Sequence, residues 1–216
     1  MPQRFLDRYR VVDLSVLCVP GEESRRLALR RGVIEWDGTT MYEIDTMSHI
    51  GTHVEAPSHF YDDGKDVVQL PLSAFFGDAV LIDVKIQQAG QLMDRAFFEA
   101  RGEGLVQEDD ILLLTNSSAQ YADRPHKPAL TTEAARWMVE KGIKMLGFDT
   151  SIALGRSRED ARAIHDILMS RDITLLEVLG GLDQLRKSRF IFFALPLKIK
   201  GLDSSPVRAM ALEEKD

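Results

Sequence analysis

Residues 143–178 read IKMLGFDTSIALGRSREDARAIHDILMSRDITLLEV, and the fold class turns on this stretch. Two short apolar runs, Ile143 to Phe148 and Ile173 to Val178, flank a segment with helical spacing. Runs this brief, flanked by Gly or charged residues, read as buried strands. Between them, Arg158 to Arg171 sets Ala161, Ile164, Ile167 and Leu168 on one stripe, and His165 falls within it. Ser157, three residues before Asp160, resembles a capping box with Asp in place of the longer Glu. Strand, helix, strand is the repeating unit of an α/β sheet.

The pattern continues on both sides. Ala79 to Ile86, Ile111 to Thr115 and Phe190 to Ile199 are further strand candidates. Thr132 to Lys141 reads as a helix with Thr131 or Thr132 as N-cap and Gly142 as its stop. A third helix is expected around Gln91 to Arg101. The first 75 residues are loop-rich and polar, with strands expected at Val11 to Leu17 and Thr39 to Met47. The expectation is an α/β fold with a mixed sheet, in a single domain over residues 1–216. Phe192 and Phe193 are expected in its core.

Composition narrows the function. The chain has 216 residues, 27 Lys and Arg against 34 Asp and Glu, and a net charge of −7. An acidic chain without a basic run argues against nucleic acid as partner. No stretch approaches the ~18 apolar residues of a membrane span, and the N-terminal MPQRFLDRYR is too polar for a signal peptide. A cytoplasmic protein without a membrane partner is expected. Cys18 is the single cysteine, so intrachain disulfides and cysteine-based zinc sites are excluded.

Three of the five histidines, His49, His53 and His59, fall within SHIGTHVEAPSHF, and Glu55 follows His53 by two. Imidazoles with a carboxylate are the ligand set of zinc, manganese or iron. Gly51 permits a tight turn, Pro57 stiffens the chain before His59, and Ala56 is pushed to extended geometry. In extended chain His53 and Glu55 point to the same side. Glu177 lies in an apolar run, on the strand face of Ile173 and Leu175. A buried carboxylate must be neutral, ion-paired or on a metal, and Arg208 or Arg156 would be the alternative partner. An inward His165 and an inward Glu177 on consecutive elements can converge with the histidine loop. His126, between two prolines, reads as an exposed loop residue. Asp149 and Ser151 follow a strand and read equally well as a turn. No P-loop, GxGxxG or GxSxG is present.

A cation held by such groups with an open position acidifies water and polarises a carbonyl, which suits attack on an amide, lactam or ester. The leaving group needs a proton, and His59, beyond the proline, is the candidate donor. Glu177 could bridge two cations.

His49-Ile-Gly-Thr-His53-Val-Glu55-Ala-Pro57-Ser-His59-Phe60 resembles the HxGTHxDxPxHF signature of the cyclase-like metal-dependent hydrolases, which include bacterial kynurenine formamidase and isatin hydrolase. Val12-Asp-Leu-Ser15 looks like the family's opening strand and Leu112 to Thr115 like a central one. The twelve-residue separation of His165 and Glu177 and the segment Ser205-Pro-Val-Arg208-Ala also match. The resemblance implies that His49 and His53 bind a first metal, with Glu55 where the family's Asp binds or bridges. His59 would be the general acid/base, His165 a ligand of a second metal, and Glu177 a bridge or ligand to both. It further implies a swivelling β/β/α fold, a homodimer or higher homo-oligomer, and one or two zinc or manganese ions per subunit. The activity implied is hydrolysis of a carbonyl–nitrogen bond, of amide, formamide or lactam type, in a small cyclic or aromatic substrate.

Two residues depart from the pattern. Glu55 is one methylene longer than Asp, which bears on how many ions are held. The tryptophan that kynurenine formamidases carry after the opening strand is replaced by Leu17 or Cys18, leaving Trp36 or Phe60 as aromatic substitutes. Two other readings remain at this level. One is a metal-stabilised protein without catalysis. The other is a non-haem iron oxygenase using His53, Glu55 and His165, which leaves His49 and His59 unexplained and suits the helical second half poorly.

Overall fold

The apolar runs form the centre of a mixed sheet. The structure, a computed structural model, describes residues 4–118 and 126–215. The chain opens with α1 (Phe5–Arg8) and β1 (Tyr9–Asp13), then a hairpin of β2 (Leu27–Val33) and β3 (Thr40–Thr46). After it come β4 (His53–Glu55), β5 (Phe76–Asp83), β6 (Leu92–Met93) and α2 (Arg95–Gly102). The second half runs β7 (Ile111–Thr115), β8 (Ala129–Leu130), α3 (Thr132–Lys141), β9 (Met145–Asp149), α4 (Arg158–Met169) and β10 (Thr174–Leu179). Strands β11 (Arg189–Phe193), β12 (Ser204–Pro206) and β13 (Met210–Glu214) complete it.

Among the described residues the main sheet has nine strands in the order β1-β13-β11-β5-β7-β9-β10-β4-β12. Its centre, β5-β7-β9-β10, is parallel. The flanking strands pair antiparallel. The sheet curls until Ser15, beyond β1, bridges Leu179 at the end of β10. A parallel centre needs cover on both faces. One core packs Val80, Ile82, Leu112, Leu114 and Leu146 under α2, α3 and α4. The other packs Ala79, Ile111, Leu113, Met145 and Leu176 against the curled flanking strands. The α/β class with a mixed sheet is borne out, and a parallel centre excludes the jelly roll that the oxygenase reading needs.

The helices start and stop where their caps place them. Thr131 caps α3 by accepting from Ala134 N, and Gly142 closes it at φ +71°. Ser157 and Asp160 form the full capping box of α4, which ends at Met169. The third helix begins later than expected because Leu92 and Met93 pair with β8, and Asp94 is its N-cap. The strand expected over Phe190 to Ile199 stops at Phe193, and Pro196 follows without an amide hydrogen for a ladder. Phe192 is fully buried, whereas Phe193 is half-buried and stacks on Phe76. Among the described residues no helix is long and apolar enough to cross a membrane.

Candidate metal centre

The site forms where β4, β10 and α4 meet. Antiparallel register sets His53 opposite Glu177, Val54 opposite Leu176 and Glu55 opposite Leu175. Val54 and Leu176 enter one core, so His53, Glu55 and Glu177 share the opposite face, where α4 packs. His165 reaches it from α4. The six residues singled out in the sequence, His49, His53, Glu55, His59, His165 and Glu177, lie in one connected cluster.

Local backbone explains the convergence. Gly51 has φ +55°, a conformation that favours glycine, and a Cβ there would stand 2.2 Å from Cys18 Sγ, so any other residue would be strained and would displace that side chain. Ala56 is extended, and Pro57 opens a 3₁₀ turn over Pro57–His59 that carries His59 back over the cluster. On β10 the register slips between Leu176 and Leu179. At this bulge Val178 adopts φ +60°, an unfavourable conformation for a β-branched side chain. Thr52 holds it: Oγ1 donates to the Val178 carbonyl at 2.7 Å and accepts from Val16 N at 3.0 Å. The second residue of the Gly-Thr-His segment thus secures the strand that presents Glu177.

His53 Nδ1 donates to the Gly51 carbonyl at 2.8 Å, which leaves Nε2 as the lone-pair nitrogen. His165 Nδ1 donates to the Ala161 carbonyl at 2.7 Å, with the same result. Their Nε2 atoms face carboxylates without hydrogen bonding to them. His53 Nε2 is 3.5 Å from Glu55 Oε1 and 3.9 Å from Glu177 Oε2, and His165 Nε2 is 3.7 Å from Glu55 Oε2. His53 Nε2 and Glu55 Oε2 are buried with no hydrogen-bond partner. Ligand atoms about 2.1 Å from one tetrahedral ion lie about 3.4 Å from each other. Orphaned nitrogen and oxygen atoms at this spacing fit a divalent cation. Among the described residues two groups could hold one, His53/Glu55/Glu177 and His49/Glu55/His59, with Glu55 common to both.

The electrostatics are uneven. Burial pushes the Glu55 carboxyl up, but His165, His53 and the charge of His59 outweigh it and hold it at about 2. Burial together with the Glu55 charge pushes Glu177 up, against the opposing pull of His53 and His165. Burial lowers His53 and His165, yet the carboxylates and the carbonyls they bond raise both above the ordinary value. Positive charge is therefore favoured between these groups.

Several expectations change. Arg208 does not serve Glu177: it pairs with Asp13. Glu177 is partly exposed, because it forms a wall of a cavity of about 890 Å³ that His165, Phe148, Ile152, Lys127 and Arg156 also line. Trp36 is 86% exposed and does not line that cavity; Phe148 is the aromatic in its wall, and Phe60, outside the lining, stacks on the His165 ring with centroids 6.0 Å apart. His126 is exposed, as expected. Asp149 and Ser151 form a turn, with Ser151 N donating to Asp149 Oδ1 at 2.8 Å.

Sequence reasoning missed Asp203. Its Oδ2 lies 2.7 Å from His49 Nε2 and 3.1 Å from His59 Nδ1, and its Oδ1 accepts from Ser48 Oγ at 3.1 Å. It stands two residues before the Ser205-Pro-Val-Arg208 segment, which was the available signal.

Comparison with known proteins agrees with this geometry. A family model described as "Putative cyclase" matches residues 12–152. Kynurenine formamidase of Bacillus cereus is 30% identical over 200 residues, covering 84% of this chain and 92% of that protein. The kynurenine formamidase of Bacillus mycoides is 33% identical over 167 residues, 76% of this chain and 77% of that one. Isatin hydrolase A from Labrenzia aggregata, solved bound to benzyl benzoate, superposes with a TM-score of 0.76 at 26% identity, covering 96% of this chain and 94% of that one.

Proposed function

Because the chain belongs to the cyclase family, we propose that the cluster around Glu55 makes it a metal-dependent amidohydrolase cleaving a carbonyl–nitrogen bond of a small cyclic or aromatic compound. The observation that carries this reading is the pair of buried, unpartnered ligand atoms, His53 Nε2 and Glu55 Oε2, with His165 and Glu177 within 4 Å. His53, Glu55, His165, Glu177 and His49 would hold one or two ions, zinc or manganese from the nitrogen and oxygen donor set. When bound, such a cation supplies Lewis acidity and brings the pKa of water toward ~7.

The chain's own groups do the rest. His59 keeps its Nδ1–H on Asp203, so Nε2, 3.9 Å from Glu55 Oε1, is the lone-pair nitrogen that takes up and hands on a proton at the site. In hydrolysis the carbon–nitrogen bond breaks, the hydroxyl of water goes to the carbon, and the proton of that water, taken up by His59 Nε2, is passed to the leaving nitrogen. The cavity beside His165 and Glu177 takes the substrate, and Phe148 and Ile152 exclude water from its apolar side.

The proposal extends to residues 1–216 as one cyclase domain, in a cytoplasmic enzyme without a nucleic-acid or membrane partner, as its charge of −7 suits. It also extends to a homodimer or higher homo-oligomer. The β2–β3 hairpin sets Leu29 opposite Ile44 and Arg31 opposite Tyr42, and leaves Leu29, Val33, Tyr42 and Ile44 exposed on one face. Light scattering on the wild type and on Leu29→Glu/Ile44→Glu tests this: a monomeric wild type overturns it.

The activity is tested with a panel of formylated and cyclic amides. The expected result is metal-dependent turnover that His53→Ala and His59→Ala both abolish. Full turnover by chelated protein or by His59→Ala contradicts it.

A further inference from the structure

The carboxylate of Asp203 touches two histidines of the cluster, His49 and His59. We propose that Asp203 is a positioning residue of this site: a single carboxylate that fixes the ring orientation and tautomer of His49 and His59 together. The inference rests on the hydrolase reading for what those histidines do, and on geometry alone for what Asp203 does to them.

The carboxylate is itself held. Ser48 Oγ donates to Oδ1 at 3.1 Å, while the Asp203 backbone carbonyl accepts from Ala56 N at 2.8 Å. Ser204, the next residue, pairs with Glu55 in the β12–β4 ladder. The anchor therefore has the same backbone frame as the ligands. A surface ion pair with one freely rotating partner contributes little, but this carboxylate is fixed and faces two rings whose centroids are 4.4 Å apart.

The consequences for the two rings differ. On His49, Asp203 takes the Nε2 side, so Nδ1, 2.8 Å from Glu55 Oε1, is the nitrogen turned toward the ligand cluster. A carboxylate behind a ligating histidine fixes its tautomer and raises its basicity. On His59, Asp203 takes the Nδ1 proton and leaves Nε2 toward Glu55. Without Asp203, a ring flip would present either nitrogen of His59 to the substrate. The same side chain thus sets one ligand and the proton carrier.

The test uses the full-length chain, metal-free and zinc-loaded, with ring ¹⁵N shifts of the histidines as the primary readout. In the wild type His59 is expected as the Nδ1–H tautomer. In Asp203→Asn that bias is expected to be lost, kcat to fall roughly 10–100-fold with KM changed less than about threefold, and zinc affinity by chelator competition to fall roughly 10-fold. Asp203→Glu is expected to restore part of the tautomer bias and of kcat. If Asp203→Asn proves poorly folded, Ser48→Ala, which frees Oδ1 only, is expected to move the same signals less. Wild-type tautomers in Asp203→Asn overturn the assignment, even where kcat falls. A wild type that hydrolyses no amide yet shows the His59 shift would sink the hydrolase reading and leave this one standing.

Discussion

Glu213 and Glu55 are glutamates of nearly equal burial, 2% and 4% exposed, at different places in one sheet, and their surroundings differ in kind. Glu213, on β13, has each oxygen matched. Oε1 accepts from the backbone N–H groups of Arg186 and Lys187 at 2.6 and 2.8 Å, and Oε2 pairs with Arg10. Asp110 is matched in the same way, with two 2.7 Å bonds from Arg189 and one of 2.8 Å from Gln107 N. Glu55, on β4, has one oxygen on His49 and the other on nothing, beside a histidine nitrogen that also lacks a partner. Leaving a buried polar atom unpaired costs about 1–3 kcal/mol. Carboxylates that serve the fold come with fixed donors, whereas Glu55 keeps one buried oxygen without any, facing His165 Nε2 at 3.7 Å.

The largest expected effect breaks the unmatched side. His53→Ala, or removal of metal by a chelator, is expected to lower kcat/KM roughly 10³-fold or more, about 4 kcal/mol. Steady-state kinetics with readdition of zinc and of manganese checks it, and recovery is expected for the chelated wild type only. Next, Asp110→Ala breaks a matched pair and leaves Arg189 without its carboxylate, with only the Leu105 carbonyl to accept from it. Urea denaturation is expected to show a loss of about 3 kcal/mol, with zinc binding per folded molecule unchanged.

How far the sequence reached follows the same division. Interior strands and capped helices were legible because their signals are local: the apolar run of β7, Ser157 with Asp160, Thr131 with Gly142. The ligand loop was legible because Gly51 and Pro57 constrain the backbone near the histidines they serve. Asp203 was not, since it meets His49 from 154 positions away and its neighbours carry no periodic signal. The hairpin strand β2 escaped notice because LALRRGV alternates only weakly and leaves its apolar residues in solvent. Strand β4, three residues long, was hidden inside its own motif.

A smaller effect sharpens the matched side. Burial raises Glu213, but the Lys187 and Arg186 amides and Arg10 outweigh it and keep its carboxyl below the usual glutamate value. A depressed folded pKa stabilises the fold above the unfolded value near 4.5, and that contribution is lost as pH falls through the folded pKa. Glu213→Gln is therefore expected to cost about 1–2 kcal/mol at pH 7, with the gap to wild type narrowing as pH falls below the unfolded value in chemical denaturation. The smallest change concerns chain length at the shared ligand. Glu55→Asp withdraws the carboxylate by one methylene and is expected to shift the affinity of one ion about tenfold, read as altered zinc stoichiometry in calorimetry.

The most direct measurement is zinc and manganese binding to the chelator-stripped chain, counted by equilibrium dialysis with elemental analysis, for wild type and Glu55→Gln. The expected result is one or two ions per wild-type chain and an affinity at least about 100-fold weaker in the variant, whose amide cannot carry the shared negative charge. No bound ion in the wild type, or equal binding by both, would contradict a cation centred on Glu55.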